Sequence, residues 1–325
     1  MQQLNQYDKL FGLKSLYKRL AALAVFGVLV MLAPLVIKDL YYLEILFLCH
    51  YYVILACSWD ILAGFTGNIN FGHAFFLAGA AYLGAVLNIN FGLQPWLTIP
   101  IGGIVAGAAG FIIGVLTLRL KGPYFASVTF CFGALLYKVF MVSSSTLGGE
   151  EGISGVQALT NSTLGNFYFS AIFMMIVIFV LYLIAKSSFG LILRSIGENE
   201  MASEGSGINT TYYKIVGFVI SAAIAGMAGT MYAHVQMHVG PEMAHDSLSG
   251  LIIMMAVVGG MGTIIGPVIG AFLLTLVNES LRFLGEMRLL IYSSAVIVVI
   301  LFAPKGLFEI ISQVLRRVGG QEQAK

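Results

Sequence analysis

The chain has 325 residues, of which 59% are hydrophobic and 10% are charged, and its mean hydropathy is +0.92. A soluble domain carries about 25% charged residues, so this composition excludes a protein surrounded by water and indicates one surrounded mostly by lipid. The net charge of +2 gives no reason to expect nucleic-acid binding, and the three cysteines show no spacing typical of a metal site or a disulfide framework. We therefore expect neither a metal nor another cofactor.

Apolar runs along the chain predict an all-α membrane protein with about ten transmembrane helices. A helix that crosses a bilayer needs about 20 apolar residues, and these runs are continuous rather than alternating as barrel strands would be. The predicted spans are 20–37, 41–62, 71–88, 96–118, 123–142, 168–185, 213–234, 248–265, 267–284 and 289–303. The first is a predicted span rather than a cleavable signal peptide, because it is long enough to cross and lacks an A-x-A-like site.

The distribution of positive charge predicts the orientation of these spans. Thirteen of the 17 Lys and Arg residues lie in 1–19, 119–122, 186–214 and 304–325, and only four lie on the opposite side. Positive charge marks the cytoplasmic side, so both termini are expected in the cytoplasm, which agrees with an even number of spans. The predicted organisation is a cytoplasmic N-terminal segment, 1–19, a single transmembrane domain, 20–303, and a cytoplasmic C-terminal tail, 304–325.

Two glycine-rich segments, 67–76 and 259–270, interrupt the apolar pattern without adding charge. By span count both lie on the cytoplasmic side, where the other loops of this chain carry Lys or Arg. We therefore expect broken or re-entrant backbone, packed against protein at membrane depth. The residues expected to line a translocation path or its gate are Asn68, Asn70, His73, Gly259, Gly260, Gly262 and Pro267. The alternative for the asparagines and the histidine is that they satisfy freed backbone groups and hold two helices together.

The cytoplasmic loop 186–214 contains the stretch LILRSIGENEMASEGSGI, which predicts a short helix ended by Gly205 and Gly207. Its small residues favour docking into a groove of another protein, where its charges would fix the register. The residues assigned to this docking surface are Arg194, Glu198, Glu200, Ala202, Glu204 and Gly207. A helix lying on the membrane is disfavoured, because such helices are usually rich in Lys and Arg and this one is net acidic.

The opposite side offers an external loop, 143–167, and three histidines, His234, His238 and His245. The loop is either a solvated spacer or a docking rim for an external protein. His234 and His238 are four residues apart and could share a helix face, but a metal site would need a third ligand such as His245 or Glu242, so a rim that contacts a binding protein is the favoured interpretation. Asp60 falls near the inner end of its span, and the absence of ionisable residues near span centres argues against a proton relay.

Four stretches resemble one family of membrane proteins. EMASEGSG at 200–207 looks like the E-A-A-x-x-x-G loop of ABC-importer permeases, which docks into the ATPase subunit, with Met201 in place of one small residue. GFTGNINFGHAFFLAGAAY, VVGGMGTIIGPVIGAFLL and LFAPKGLFEI resemble, in order, three segments of permeases for branched-chain amino acids: G-x-x-S-x-G-H-A-x-F, G-G-x-G-x-x-x-G-P-x-x-G-A and F-x-P-[RK]-G-L. The resemblance runs from about residue 40 to 311 and is to the M-type permease of these importers. Asn68 and Asn70 depart from the residues usual in the family, which leaves the substrate open.

The resemblance implies a multi-pass protein of the bacterial inner membrane that forms half of the path for branched-chain or related amino acids. Its implied partners are a second related permease in a heterodimer, two cytoplasmic ATPase subunits, and a periplasmic or external protein that delivers the small polar substrate. The chain has no GxxxxGK[ST] motif, so ATP would be hydrolysed by the separate subunits and this chain would not be an enzyme.

Other functions stay open at this stage. Permeases of urea and short-chain amide importers are similar, so the resemblance does not fix the substrate. An autonomous channel or secondary carrier would explain the broken helices but not a short acidic cytoplasmic helix. A membrane-embedded enzyme would need a nucleophile–base set, paired carboxylates or H-E-x-x-H, and the sequence shows none of these patterns.

Overall fold

The computed structural model describes residues 13–120 and 122–285 and, beyond them, 287, 291, 293, 294, 296, 297, 301 and 306–309; side chains are described from residue 25 onward, except at 145. The described helices are α1 (Leu13–Val36), α2 (Leu40–Thr66), α3 (His73–Phe91), α4 (Pro95–Thr117), α5 (Pro123–Val142), α6 (Ser144–Leu147), α7 (Thr163–Lys186), α8 (Ser188–Glu198), α9 (Glu200–Gly205), α10 (Thr210–Gln236), α11 (Asp246–Gly259) and α12 (Ile265–Ser280). Short 3₁₀ turns lie at Gly149–Glu151, Pro241–Ala244 and Arg282–Leu284, and β1 (Ile153–Ser154) pairs antiparallel with β2 (His238–Val239).

Within the described residues, six helices are long and apolar enough to cross a membrane: α2, α3, α4, α5, α7 and α10. Val25–Val36 of α1 and the whole of α11 and α12 are shorter apolar helices. Nine of the ten predicted spans coincide with helices, and the tenth, 289–303, lies outside the continuously described residues. The helical membrane architecture is therefore confirmed, while the count of ten spans and the orientation of the termini stay predictions.

Helix α2 forms the centre of the molecule. It packs against α7, α10, α11 and α12, and most of its side chains are buried, including Trp59, Ile54 and Leu55. A helix that is apolar on all sides, as α2 is, can be covered by lipid or by protein, and the burial of its side chains shows that protein covers most of α2. The positions of the irregular segments can therefore be described by their contacts with residues of α2.

Helices α4 and α10 approach closely because small residues face each other. A Cβ added at Gly102 would lie 2.2 Å from Thr230 Oγ1, and one added at Gly110 would lie 2.7 Å from Ala222 Cβ. Small residues at a crossing let helix backbones pack tightly in lipid, where the hydrophobic effect gives little drive for helix association. This pair gives the domain a rigid side on which α3 also packs.

The first glycine-rich segment turns back into the protein. Gly67 ends α2 in the left-handed conformation, with φ of 74°. The indole Nε1 of Trp59 donates to the backbone oxygen of Asn70 at 2.8 Å, and Nε2 of His73 lies 3.0 Å from Ser58 Oγ. Ser58 precedes the last residue of α2 by eight residues, so α3 begins about 12 Å back along α2, at 1.5 Å per residue. Residues 67–72 thus form the re-entrant backbone expected here, whereas the predicted segment extended to 76.

The second glycine-rich segment joins two short antiparallel helices. Helix α11 has 14 residues and α12 has 16, fewer than the roughly 20 needed for a full span. A Cβ added at Gly259 would lie 2.0 Å from the oxygen of Gly266, and one added at Gly270 would lie 2.0 Å from the oxygen of Met255. Only glycine fits at these two contacts, and the non-helical backbone is confined to 260–264.

The segment predicted as an external loop is structured and tied to two helices. The backbone N–H of Leu159 donates to the oxygen of His234 at 3.0 Å. Asn88 Oδ1 accepts from the backbone N–H of Gln157 at 2.8 Å, and the pairing of β1 with β2 closes the loop. Because His234 is buried and also bonds Thr98 at 2.6 Å, it packs inside this end of the protein instead of forming part of an exposed rim.

Candidate functional site

The turn 260–264 is held by a buried carboxylate from the central helix. Asp60 Oδ1 accepts from the backbone N–H of Gly262 at 2.7 Å, and Oδ2 accepts from that of Ile264 at 3.3 Å. Ile264 has φ of 61°, which is rare for a β-branched residue and costs on the order of 1–3 kcal/mol. A fully buried acid that binds two backbone N–H groups offsets this cost, so Asp60 fixes the turn in a strained conformation.

The same turn is bonded to the loop 186–214 through Arg194 on α8. Arg194 Nη2 donates to the oxygen of Gly262 at 3.1 Å, and the guanidinium lies 4.7 Å from the centre of the Phe65 ring. A Cβ added at Gly197 would lie 2.3 Å from the oxygen of Phe65, so α8 presses directly on the end of α2. One continuous chain of contacts therefore runs from the loop 186–214 to the turn and on to Asp60.

The two asparagines of the first segment stabilise its bend. Asn70 Oδ1 accepts from the backbone N–H of Gly72 at 2.9 Å, directly before α3. The backbone N–H of Asn68 lies 3.3 Å from Thr66 Oγ1. These bonds satisfy backbone groups that the broken helix leaves free, as buried backbone requires. The alternative considered from sequence, that these residues brace the bend, thus has a direct side-chain contact in its support at Asn70, while Asn68 contributes its backbone N–H.

His73 occupies one tautomer because of its neighbour. Ser58 Oγ donates to the oxygen of Leu55 at 2.8 Å and therefore accepts from His73 Nε2–H at 3.0 Å, which we assign from this network. His73 Nδ1 is left as an acceptor, and with Nδ2 of Asn68 and of Asn70 it has no partner among the described residues. Buried polar atoms without partners are uncommon. A role for these three residues in the translocation path stays a prediction.

The predicted path residues of the second segment divide between helix and turn. Gly259 and Pro267 are buried within helices, where they serve close packing. Gly260 and Gly262 lie in the turn, with φ of 117° and 73°. A Cβ added at Gly306 would lie 2.4 Å from Gly260 Cα, so Gly306 also packs on this turn. Their place along a path stays a prediction.

The loop 186–214, predicted to be cytoplasmic, contains two short helices where the sequence predicted one. The break falls at Asn199, whose Oδ1 accepts from the backbone N–H of Ala202 at 3.0 Å and caps α9. Asparagine is among the best N-cap residues, so the local sequence favours a new start here. The side chains or backbone left exposed around α9 are those of Glu198, Met201, Ala202, Glu204, Gly205 and Gly207.

Part of the predicted docking set points into the protein. Besides Arg194, Glu200 forms an ion pair with the buried Lys214. Thr210 Oγ1 donates to Glu204 Oε1 at 2.8 Å. These bonds hold α9 on the start of α10, so α9 is a firmly mounted surface element rather than a free loop.

Sequence reasoning missed a polar corner at the start of α11. Asp246 Oδ1 lies 3.3 Å from the Cβ position at Gly133, which is the midpoint of α5. That oxygen is buried and has no partner among the described residues, and the exposed ring of His245 lies 5.2 Å from the ring of Tyr137. The span count placed this stretch at an outer loop. The sequence signal that could have identified this corner is an acidic residue, Asp246, directly before a long run without charged residues.

Six apolar helices long enough to cross a membrane, with re-entrant backbone between two of them, are typical of membrane transport proteins. Residues 41–304 match the family described as branched-chain amino acid transport system / permease component, and the chain belongs to this family. Its members are inner-membrane permeases, so the predicted family and membrane location are confirmed.

Individual relatives agree with this assignment. The chain is 29% identical over 303 residues to the high-affinity branched-chain amino acid transport system permease protein LivM of Salmonella typhimurium, covering 84% of this chain and 71% of that protein. It is 30% identical over 285 residues to LivM of Escherichia coli, covering 79% and 67%. The nucleoside ABC transporter permease protein NupC of Lactococcus lactis is 30% identical over 186 residues, covering 51% and 59%. No solved structure matches the chain. The homology supports a permease of an ATP-binding-cassette importer.

Proposed function

We propose that this chain forms half of the translocation path of an ATP-driven importer for branched-chain or related amino acids. The proposal is supported by family membership and by two relatives named for high-affinity branched-chain amino acid transport. Its partners would be a second related permease, two cytoplasmic ATPase subunits and an external binding protein. Another relative is named for nucleoside transport, so the substrate class needs a test of its own.

The observation that carries the proposal is the mounting of α9. Met201 is 76% exposed, and a Cβ added at Gly205 or Gly207 would meet nothing within 4 Å. An apolar and small surface on a firmly held helix is suited to insertion into a groove of another protein. Lipid is a poorer partner for this surface, because the helix carries acids and no Lys or Arg.

The contacts give a route by which docking would act on the path. A push on α9 is passed to α8, and Arg194 on α8 bonds the turn 260–264. The turn joins α11 to α12, so its displacement changes the angle of both short helices. Packed elements of this kind shift between discrete arrangements, which is how a small motion at an ATPase would open and close a path.

The experiment is co-purification of the importer from its native membrane, with uptake measured after reconstitution. The complete complex should contain ATPase subunits and should import leucine only with ATP and loaded binding protein. Gly205→Trp should remove the ATPase subunits because the added ring blocks the docking surface. Leu191→Trp, at a 61% exposed position of neighbouring α8, is the matched control and should retain them.

Two results would contradict the proposal. Transport by the purified chain without ATP would show a channel or secondary carrier. A complete complex that imports nucleosides but no amino acid would keep the importer mechanism and refute the proposed substrate class.

A further inference from the structure

The start of α11 lies well inside the membrane domain. The backbone N–H of Ala74, in the first turn of α3, donates to Ser249 Oγ in the first turn of α11 at 2.9 Å. Asp246 lies against Gly133, halfway along α5. Since α3 itself begins inside the protein, the first turns of two helices, α3 and α11, meet near the midpoint of a spanning helix.

A carboxylate at this depth lacks a counterion. Asp246 is half-buried, and none of the ion pairs formed by described residues includes it. Asp60, the acid that holds the turn 260–264, by contrast has its charge bound by two backbone N–H groups. An ionisable group within a membrane span faces the protein interior or a water-filled cavity and marks a pathway by default.

Hydrogen-bond donors lie beside the carboxylate. His245 Nδ1 accepts from the backbone N–H of Ser247 at 3.2 Å, so the neutral ring carries its proton on Nε2, which is exposed. Asn70 is 1% exposed, and its Nδ2 has no partner among the described residues. Asn70 Oδ1 accepts from the backbone N–H of Gly72. A Cβ added at Gly133 would lie 4.0 Å from the Cα of Gly72 and 3.3 Å from Asp246 Oδ1. The segments that carry the acceptor, Asp246, and the donors, His245 and Asn70, therefore meet at Gly133 of α5.

We propose that this corner binds the charged main-chain groups of the transported amino acid. Asp246 takes the α-ammonium group, while His245 Nε2–H and Asn70 Nδ2 face the α-carboxylate, which the first turn of α3 also favours. The inference rests on the proposed function and names the contacts of that path. A neutral solute such as urea or a nucleoside brings no fixed cation to Asp246, whereas every α-amino acid does.

A purely structural role for Asp246 is the competing explanation, since an acid in a first helical turn stabilises the helix. Asp39 provides a matched control because it caps α2 by accepting from the N–H of Tyr41 at 3.0 Å and lies at an exposed end. His245→Asn tests the position of the donor separately, because asparagine still caps a helix but its shorter side chain cannot place an N–H where the imidazole Nε2–H lies.

The test uses the complete importer in proteoliposomes with saturating leucine-loaded binding protein. Asp246→Asn should lower uptake of radiolabelled leucine by about tenfold or more, the factor expected when one charged hydrogen bond is lost. ATP hydrolysis and co-purification of all subunits should stay at the wild-type level. Asp246→Glu should recover part of the uptake, His245→Asn should reduce it, and Asp39→Asn should leave it unchanged.

Uptake by Asp246→Asn at the wild-type rate would overturn the inference. The inference would also be overturned if Asp246→Asn lost uptake, Asp246→Glu did not restore it, and Asp39→Asn lost as much uptake. Both acids would then be structural. If Asp246→Asn fails to assemble, Asp246→Glu and His245→Asn decide the matter, and wild-type uptake in His245→Asn would refute the assigned geometry. Failure of the proposed function is separate: the wild-type complex itself would then import no leucine.

Discussion

Replacing Arg194 by glutamine should uncouple ATP hydrolysis from transport while leaving the docking surface in place. Arg194 is the side chain that bonds the cytoplasmic loop to the turn 260–264. Its charged hydrogen bond to Gly262 contributes about 1.5–3 kcal/mol, and its stacking on Phe65 adds roughly 0.5–1 kcal/mol in a partly exposed setting. Loss of about 2 kcal/mol of coupling corresponds to roughly a 30-fold change in the equilibrium that links loop and turn.

The assay is the ratio of leucine imported to ATP hydrolysed by the reconstituted complex. Arg194→Gln should lower this ratio while ATPase subunits still co-purify. Leu191→Gln is the matched control, since Leu191 is 61% exposed on the same helix, lies outside the docking set and should leave the ratio unchanged. A double-mutant cycle with Phe65→Leu should show that the two changes are not additive. A wild-type ratio in Arg194→Gln would refute the transmission route described above.

The remaining predictions concern packing and orientation. Gly64→Ala should destabilise the purified protein by about 1–3 kcal/mol, because the added Cβ would lie 1.9 Å from Asp60 Oδ1 and 2.5 Å from the backbone nitrogen of Gly262. Gly205→Ala, which meets nothing within 4 Å, should leave the thermal unfolding midpoint unchanged, and equal midpoints for the two variants would contradict the packing described at the turn. A reporter fused near Gly155 should face the outside and one near Gly205 the cytoplasm; a cytoplasmic signal at both would refute the charge-based orientation.

The sequence predicted the helices because the length of an apolar run is a local property. It also predicted broken backbone at both glycine-rich segments, because the absence of charge there conflicted with the rule for cytoplasmic loops. The bond between Asp60 and Gly262 was not predictable in this way. These residues are 202 positions apart, and the sequence contains no signal that brings them together.

The corner at Asp246 was missed for a related reason. A count of spans assigns each residue a side of the membrane, but it assumes that every connection lies at the surface. Helix α11 starts beside the first turn of α3, and that depth depends on how α3, α5 and α11 pack together. By contrast, the helix break at Asn199 had a local signal, because asparagine commonly caps a helix, and the single predicted helix overlooked it.

The burial of α2 also bears on how the protein would respond to its bilayer. At 27 residues the helix is about 40 Å long, longer than a hydrocarbon core of about 30 Å. Such a mismatch normally forces a helix to tilt or the lipid to thicken, but it acts only where helix and lipid touch. Because protein surrounds α2, changes in acyl-chain length reach the peripheral helices, such as α5, and not the helix that carries Asp60. Transport should therefore tolerate lipids of different thickness better than the stability of the outer helices does.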